Sequence, residues 1–216
     1  MNNFFKILSF FLCTTFLISC VQKSITSWKR NFDFITYNRT IEQLRENNKS
    51  IIRFSEAPNA GIAWFKDLEF SEGTVEFDAK GRDVLQKSFI GIAFHGKDNE
   101  TYETVYFRPF NFQSKDTVRK IHAVQYAYEP KYNFDYLRET RKDEFEAAIL
   151  PNTISATDWF HAKIEVEKGR IKVYMNNSVV PSLDVATLNP ENNSGKIGFW
   201  VGNNSNGDFA NFRIIQ

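Results

Sequence analysis

The chain has 216 residues, with 27 Lys or Arg against 26 Asp or Glu, and it is 42% hydrophobic and 16% aromatic, including 22 Phe. That length suits one sizeable core, since a chain of this size buries roughly 70% of its unfolded surface without covalent staples. The charge balance excludes the basic footprint that nucleic acid or anionic lipid headgroups require, and it argues for a neutral ligand or none.

In chain order, Lys6 precedes an almost unbroken apolar stretch over 7–18. This is too short to cross a bilayer, which takes about 20 apolar residues, and it reads as a signal peptide over 1–19. Leu17-Ile18-Ser19-Cys20 resembles a bacterial lipobox. That resemblance implies acylation of Cys20 and attachment to a membrane of the bacterial envelope, on the periplasmic or surface side of the outer membrane. An ordinary secretory peptide cleaved near Ser19 is the alternative. Cys13 leaves with the signal, so the rest of the chain has neither a disulfide nor thiol chemistry. Removal of 1–19 also takes one Lys and no acid, leaving basic and acidic residues in equal number. Residues 20–32 read as a lipidated tether, with Trp28 at the lipid interface, and 33–216 as a single domain.

Ile41, Leu44 and Arg45 stand at helical spacing, so 40–46 is expected as one short helix or turn ended by Asn47-Asn48. Beyond it strands dominate, at 51–54, 61–65, 73–80, 89–94, 102–110, 121–128, 145–150, 159–167, 171–175, 196–201 and 209–215. Gly and Asn clusters separate them where positive φ is needed. Eleven strands with no helical partners predict an all-β, two-sheet antiparallel jelly-roll sandwich.

Between Phe89 and Tyr126 the polar members of successive strands are His, Glu, Tyr, Arg, Asn and Gln. Long-reach hydrogen-bonding groups beside aromatic rings on a sheet face are what holding a sugar requires. With Val105 and Phe107 directed to the core, alternation places Thr104, Tyr106 and Arg108 on the other face. Pro109 marks a strand edge or end. A planar Arg fork grips two hydroxyls or a carboxylate, and Tyr106 offers a stacking face and a hydroxyl; pairing of Arg108 with Glu103 or Asp116 is the structural alternative. In 121–128 neither face is clearly the core: Gln125 either faces the groove or anchors a neighbouring loop, and Tyr126 is counted with the groove as well. Trp200 opposes Ile197, Phe199 and Val201 and also falls on the groove side, while Trp64 and Trp159 are core candidates. The polar insertion over 129–146 is expected to cover one end of the groove.

The segments AGIAWF (60–65), GTVEFDAKG (73–81), FIGIAFHG (89–96), YETVYFRPFNF (102–112), HAVQY (122–126), WFHAKIEVEKGRIKVYMNN (159–177), GKIGFWVG and GDFANFRI resemble the concanavalin A-like lectin/glucanase superfamily. Within it, the chain is most similar to bacterial 3-keto-disaccharide hydrolase-like domains, often grouped with family 16 glycoside hydrolases. The resemblance implies a jelly roll whose concave face takes a carbohydrate. It does not supply the acids of the family 16 glucanases: Glu76 and Asp78 match only the first two, and Lys80 stands in place of the third.

These readings describe a lipid-anchored, carbohydrate-binding protein of glycan capture or processing, with a ligand site at Tyr106, Arg108, Gln125, Tyr126 and Trp200. An enzyme acting on a modified disaccharide, with Glu103, His122 or Glu144 as acid or base, is the second reading. A structural envelope lipoprotein without a small ligand is the third. His95 is a further possible base near this surface. No cofactor is expected, and no metal, because the histidines do not stand at ligand spacing. The loop 202–208 reads as an Asx/Gly turn rather than a calcium site.

Overall fold

The computed structural model describes residues 25–27, 32–191 and 193–216. The segment expected as signal peptide, Cys20 and Trp28 lie outside the described residues. Within them, β1 (Ile25–Ser27), β2 (Phe34–Tyr37), β3 (Ile41–Glu46), β4 (Lys49–Phe54), β5 (Gly61–Phe70), β6 (Gly73–Lys80), β7 (Ile90–Gly96) and β8 (Tyr102–Phe107) lead to a 3-10 turn at Pro109–Asn111. Helix α1 (Thr117–Ile121), β9 (Val124–Glu129), α2 (Phe134–Thr140), β10 (Glu146–Ala147), β11 (Phe160–Glu167), β12 (Arg170–Met175), β13 (Leu183–Ala186), β14 (Gly195–Val201) and β15 (Gly207–Ile215) follow.

Two antiparallel sheets face each other, as the patterning predicts. One runs β13-β12-β11-β6-β15-β4-β3 with β1 also on β15; the other runs β10-β9-β8-β7-β14-β5-β2. Period two sets the layers. In β11, Phe160, Ala162, Ile164 and Val166 are buried while the residues between them are not. The rings of the two sheets meet in the interior: Phe199 of β14 stacks on Phe209 of β15 with centroids 4.4 Å apart, and Phe65 of β5 stacks on Phe212 at 4.0 Å.

Four local expectations are corrected. Residues 41–46 form the strand β3, not a helix, because Asn47 and Asn48 both adopt positive φ (47° and 64°) and close a two-residue hairpin in which Glu46 pairs Lys49. The strand expected from 121 begins only at Val124, because Asp116 caps the backbone N–H groups of Val118 and Arg119 and starts α1. The strand expected over 102–110 stops at Phe107, so Pro109 follows a strand end as one of its two readings had it, but not an edge, since β8 is central between β7 and β9. Ile25–Ser27, in the segment expected as tether, pairs with Ile215–Arg213 of the last strand.

Arg39, 6% exposed, fixes the loops at one end of the seven-stranded sheet. Its guanidinium donates to the carbonyls of Asn38, Ala57, Asn59 and Gly202 at 2.6 to 2.9 Å. Burial lowers its pKa, with Glu56 acting in the opposite sense. Replacing Phe209, fully buried between the sheets, by Ala is expected to cost about 3–5 kcal/mol, read as a lower urea midpoint at unchanged slope.

Candidate functional site

The outer face of the seven-stranded sheet carries a cleft of about 800 Å3, within the range of small-molecule sites. Strand alternation sets its floor. Tyr102, Tyr106 and the following Arg108 project from β8 on the side opposite Val105 and Phe107, and Trp200 projects from β14 on the same side. The Trp200 indole N–H donates to the Tyr102 hydroxyl at 3.1 Å, and its ring lies 5.0 Å from that of Tyr106. Gly91 of β7 pairs with both Tyr106 and Trp200, and a Cβ there would run into the Val105 carbonyl and the Tyr106 backbone. The two rings therefore meet over a strand with no side chain between them. Phe89, Phe110, Leu85, Val118 and Phe134 give the walls an apolar character.

Beneath the floor is a buried polar network. Arg108 donates to Glu146 Oε2 at 2.8 Å, to the His122 carbonyl at 3.0 Å, to the Tyr106 hydroxyl at 3.0 Å, and to Gln125 Oε1. The Tyr106 hydroxyl in turn donates to Gln125 Oε1 at 2.5 Å. Burial pushes the Tyr106 hydroxyl up to about 12, partly offset by Arg108, so it is a neutral donor at ordinary pH. Glu146 reaches this point because β10 pairs with β9, placing it directly beside Gln125.

Glu129, at the end of β9, shares the cleft side with its cross-strand partner Tyr102. Burial, and secondarily the charge of Asp135, raises its pKa. It is the single carboxylate among the residues lining the cleft; Arg108, Arg119, Arg138 and Lys142 are the cations there, beside His122.

Of the sequence candidates, Tyr106, Arg108, Trp200 and His122 line this cleft. Gln125 belongs to the same face but lies fully buried under it, where its oxygen orients Tyr106 and Arg108. Tyr126 is corrected: it pairs with Val105, points between the sheets, and its hydroxyl donates to Glu103 and accepts from the Leu188 N–H. Glu103 is corrected for the same reason. It is 1% exposed inside the sandwich, where His95 Nδ1 also meets it at 2.8 Å. His95 itself is buried, held through Nε2 to the Ser71 carbonyl and stacked on Phe70, so neither serves the cleft. Glu144 is exposed and paired with Arg141, away from the cleft lining. Glu76 and Asp78 sit on the other sheet. Burial would raise the Asp78 pKa, but hydrogen bonds from His161, Lys49 and Asn211 hold it below the usual carboxylate value. Asp208 of the 202–208 loop is taken by Arg53 at 2.8 Å.

Sequence reasoning missed Glu129 and Glu146. Glu129 stood at the start of a polar insertion, and its signal was parity: it follows Gln125 by four residues on one strand, hence on the same face. Glu146 had no signal before its pairing with β9 was known. The insertion itself folds as α2, with Phe134 and Arg138 facing the cleft, and Tyr132 and Tyr136 packed together at 5.5 Å. His122, Asp143 and Glu146 also bring one ligand-type atom each within 4.8 Å of one another, which the sequence spacing did not indicate. Arg108 and Arg138 already compensate Glu146, at 2.8 and 3.5 Å, which disfavours adding a cation there.

The profile of the 3-keto-alpha-glucoside-1,2-lyase-like domain matches residues 22–215. No curated protein sequence matches the chain. Among solved structures, the carbohydrate-binding module CBM66 from Bacillus subtilis is similar at 15% identity and TM-score 0.54, over 85% of this chain and 91% of that one. A Bacillus subtilis protein of unknown function with a galectin-like fold gives 13% identity and TM-score 0.56, over 85% and 89%. The exoplasmic/lumenal domain of VIP36, bound to Ca2+ and Man3GlcNAc, gives 8% and 0.55, over 85% and 83%.

Truncating Glu146 to Ala leaves Arg108 buried without its counter-charge and is expected to cost about 3–5 kcal/mol. Chemical denaturation of the variant measures this, and a loss below about 1 kcal/mol would contradict the network described.

Proposed function

The chain belongs to the family of 3-keto-alpha-glucoside-1,2-lyase-like domains, and we propose that its cleft binds a glycoside and eliminates the aglycone from a 3-keto-glucoside. One observation carries the choice between elimination and hydrolysis. Glycosidases of the usual kind need two carboxylates flanking the bond, about 5 to 10 Å apart, whereas the cleft lining here offers one, Glu129. A single base is what removal of a proton next to a carbonyl requires.

In this reading the C3 carbonyl acidifies the C2 hydrogen. Glu129 takes that proton; the C2–H electron pair becomes the C1–C2 double bond as the C1–O bond breaks, and the leaving oxygen is protonated to an alcohol. Arg108, held by the Tyr106 and Gln125 oxygens, supplies positive charge where the carbonyl oxygen gains negative charge. His122 lines the cleft with Nε2 held by Asp143 at 3.1 Å and is placed to return a proton to the leaving oxygen. The tilted Tyr106 and Trp200 rings give the sugar an apolar face to rest on. A binding-only role is the second reading, favoured by the extent to which Arg108 and Tyr106 are committed to each other.

Glu129→Gln is expected to lower turnover of a 3-keto-glucoside by about 10²–10⁴-fold, followed as enone absorbance, with ligand-induced thermal stabilisation retained. Stabilisation by glycosides without turnover in the parent protein would instead establish binding alone. A base acts in its ionised form, so activity should rise with pH through the raised Glu129 pKa, and Asp135→Asn should move that limb to lower pH.

We also infer attachment to the bacterial envelope through an acylated Cys20, supported by the lipobox-like Leu17-Ile18-Ser19-Cys20. Cys20→Ser is expected to release the protein from the membrane fraction with its folding unchanged; continued membrane association would rule the anchor out.

A further inference from the structure

The cleft is electrically lopsided. Arg119 comes from α1, in the connection between β8 and β9, while Arg138 and Lys142 come from α2 and the residues after it, between β9 and β10. The opposite wall, from Ala60, Leu85, Gln86, Gly202 and Asn203, is neutral. Arg108 has its charge matched from below by Glu146. Arg138 shares that same carboxylate only at 3.5 Å. Arg119 is held by neutral oxygens alone: its Nε donates to Asn111 Oδ1 at 3.1 Å and an Nη to the Phe110 carbonyl at 2.8 Å. Those two bonds fix the guanidinium at the wall without neutralising it. Among the described residues neither Arg119 nor Lys142 forms an ion pair. Among the described residues, Glu129 is the only anion facing this group of cations from the lining. In a chain of balanced charge, this uncompensated positive wall marks one part of the bound ligand.

We propose that the glycoside bound here carries an anionic substituent, a carboxylate, sulfate or phosphate, seated against Arg119, Arg138 and Lys142. Charge-assisted bonds from a fixed guanidinium are the strong ones, and apolar walls reduce the screening of charge between ligand and protein. The proposal deepens the reading of the cleft as a glycoside site and rests on it, but it does not depend on which reaction occurs there.

Calorimetric titration with methyl α-glucoside, methyl α-glucuronide, glucose 6-sulfate and glucose 6-phosphate tests it. At least one anionic sugar is expected to bind about tenfold or more tightly than the neutral one. The charged sugar that leads identifies the substituent as carboxylate, sulfate or phosphate. The preference should shrink as salt is raised, and it should vanish in Arg119→Gln/Lys142→Gln, checked by its melting curve to be folded. Equal affinity for neutral and anionic sugars overturns the anionic subsite and leaves the glycoside reading standing. A preference that survives in the double variant likewise overturns it. Absence of binding by all four sugars overturns both.

Discussion

A guanidinium withdrawn from water has to find acceptors where it lies, and Arg108, unlike Arg39, finds a full counter-charge among them in Glu146. The consequence spreads outward. Arg108 follows directly on a central strand, whereas Glu146 belongs to a two-residue strand at the sheet's edge, so the pair ties the margin of the sheet to its middle. Gln125 and Tyr106 are drawn into the same network, which holds the floor of the cleft in one arrangement before any ligand arrives. The long connection through α2 is anchored at its far end by this charge pair.

The interior repeats the pattern in a less expected place. Glu103, His95 and Tyr126 form a polar cluster between the sheets, surrounded by phenylalanine. A carboxylate there is tolerable because its oxygens are met by hydrogen-bonding groups from a neighbouring strand on each side. The same arrangement removes three residues from the cleft that their chemistry would otherwise fit.

Alternation read β6 end to end and placed Tyr106, Arg108 and Trp200 on the correct side, because Val105, Phe107, Phe199 and Val201 left no doubt about which face was apolar. It failed on β9, where Ala123 and Ala127 oppose Val124 and Tyr126 and both faces are equally apolar. There the side is decided by pairing with β8, and pairing is not written in one strand. The hairpin of β3 and β4 was obscured because Ile41 and Leu44, both half-buried on an edge strand, happen to recur at a helical interval. The charge balance describes the chain as a whole, and the gathering of Arg119, Arg138 and Lys142 at one wall depends on where α1 and α2 pack, which no single segment of sequence states.

Among the tryptophans of the described residues, Trp200 alone lines the cleft, while Trp64 is 2% exposed and bonded to Asn99, and Trp159 lies under Lys49 on the other side of the protein. Its indole rests against Tyr106 and is tethered through its N–H to Tyr102, so its position at the cleft is fixed. A ligand held in the cleft would change the surroundings of that one indole. Binding would then be read in the ultraviolet emission without any label, against the constant contribution of the buried Trp64.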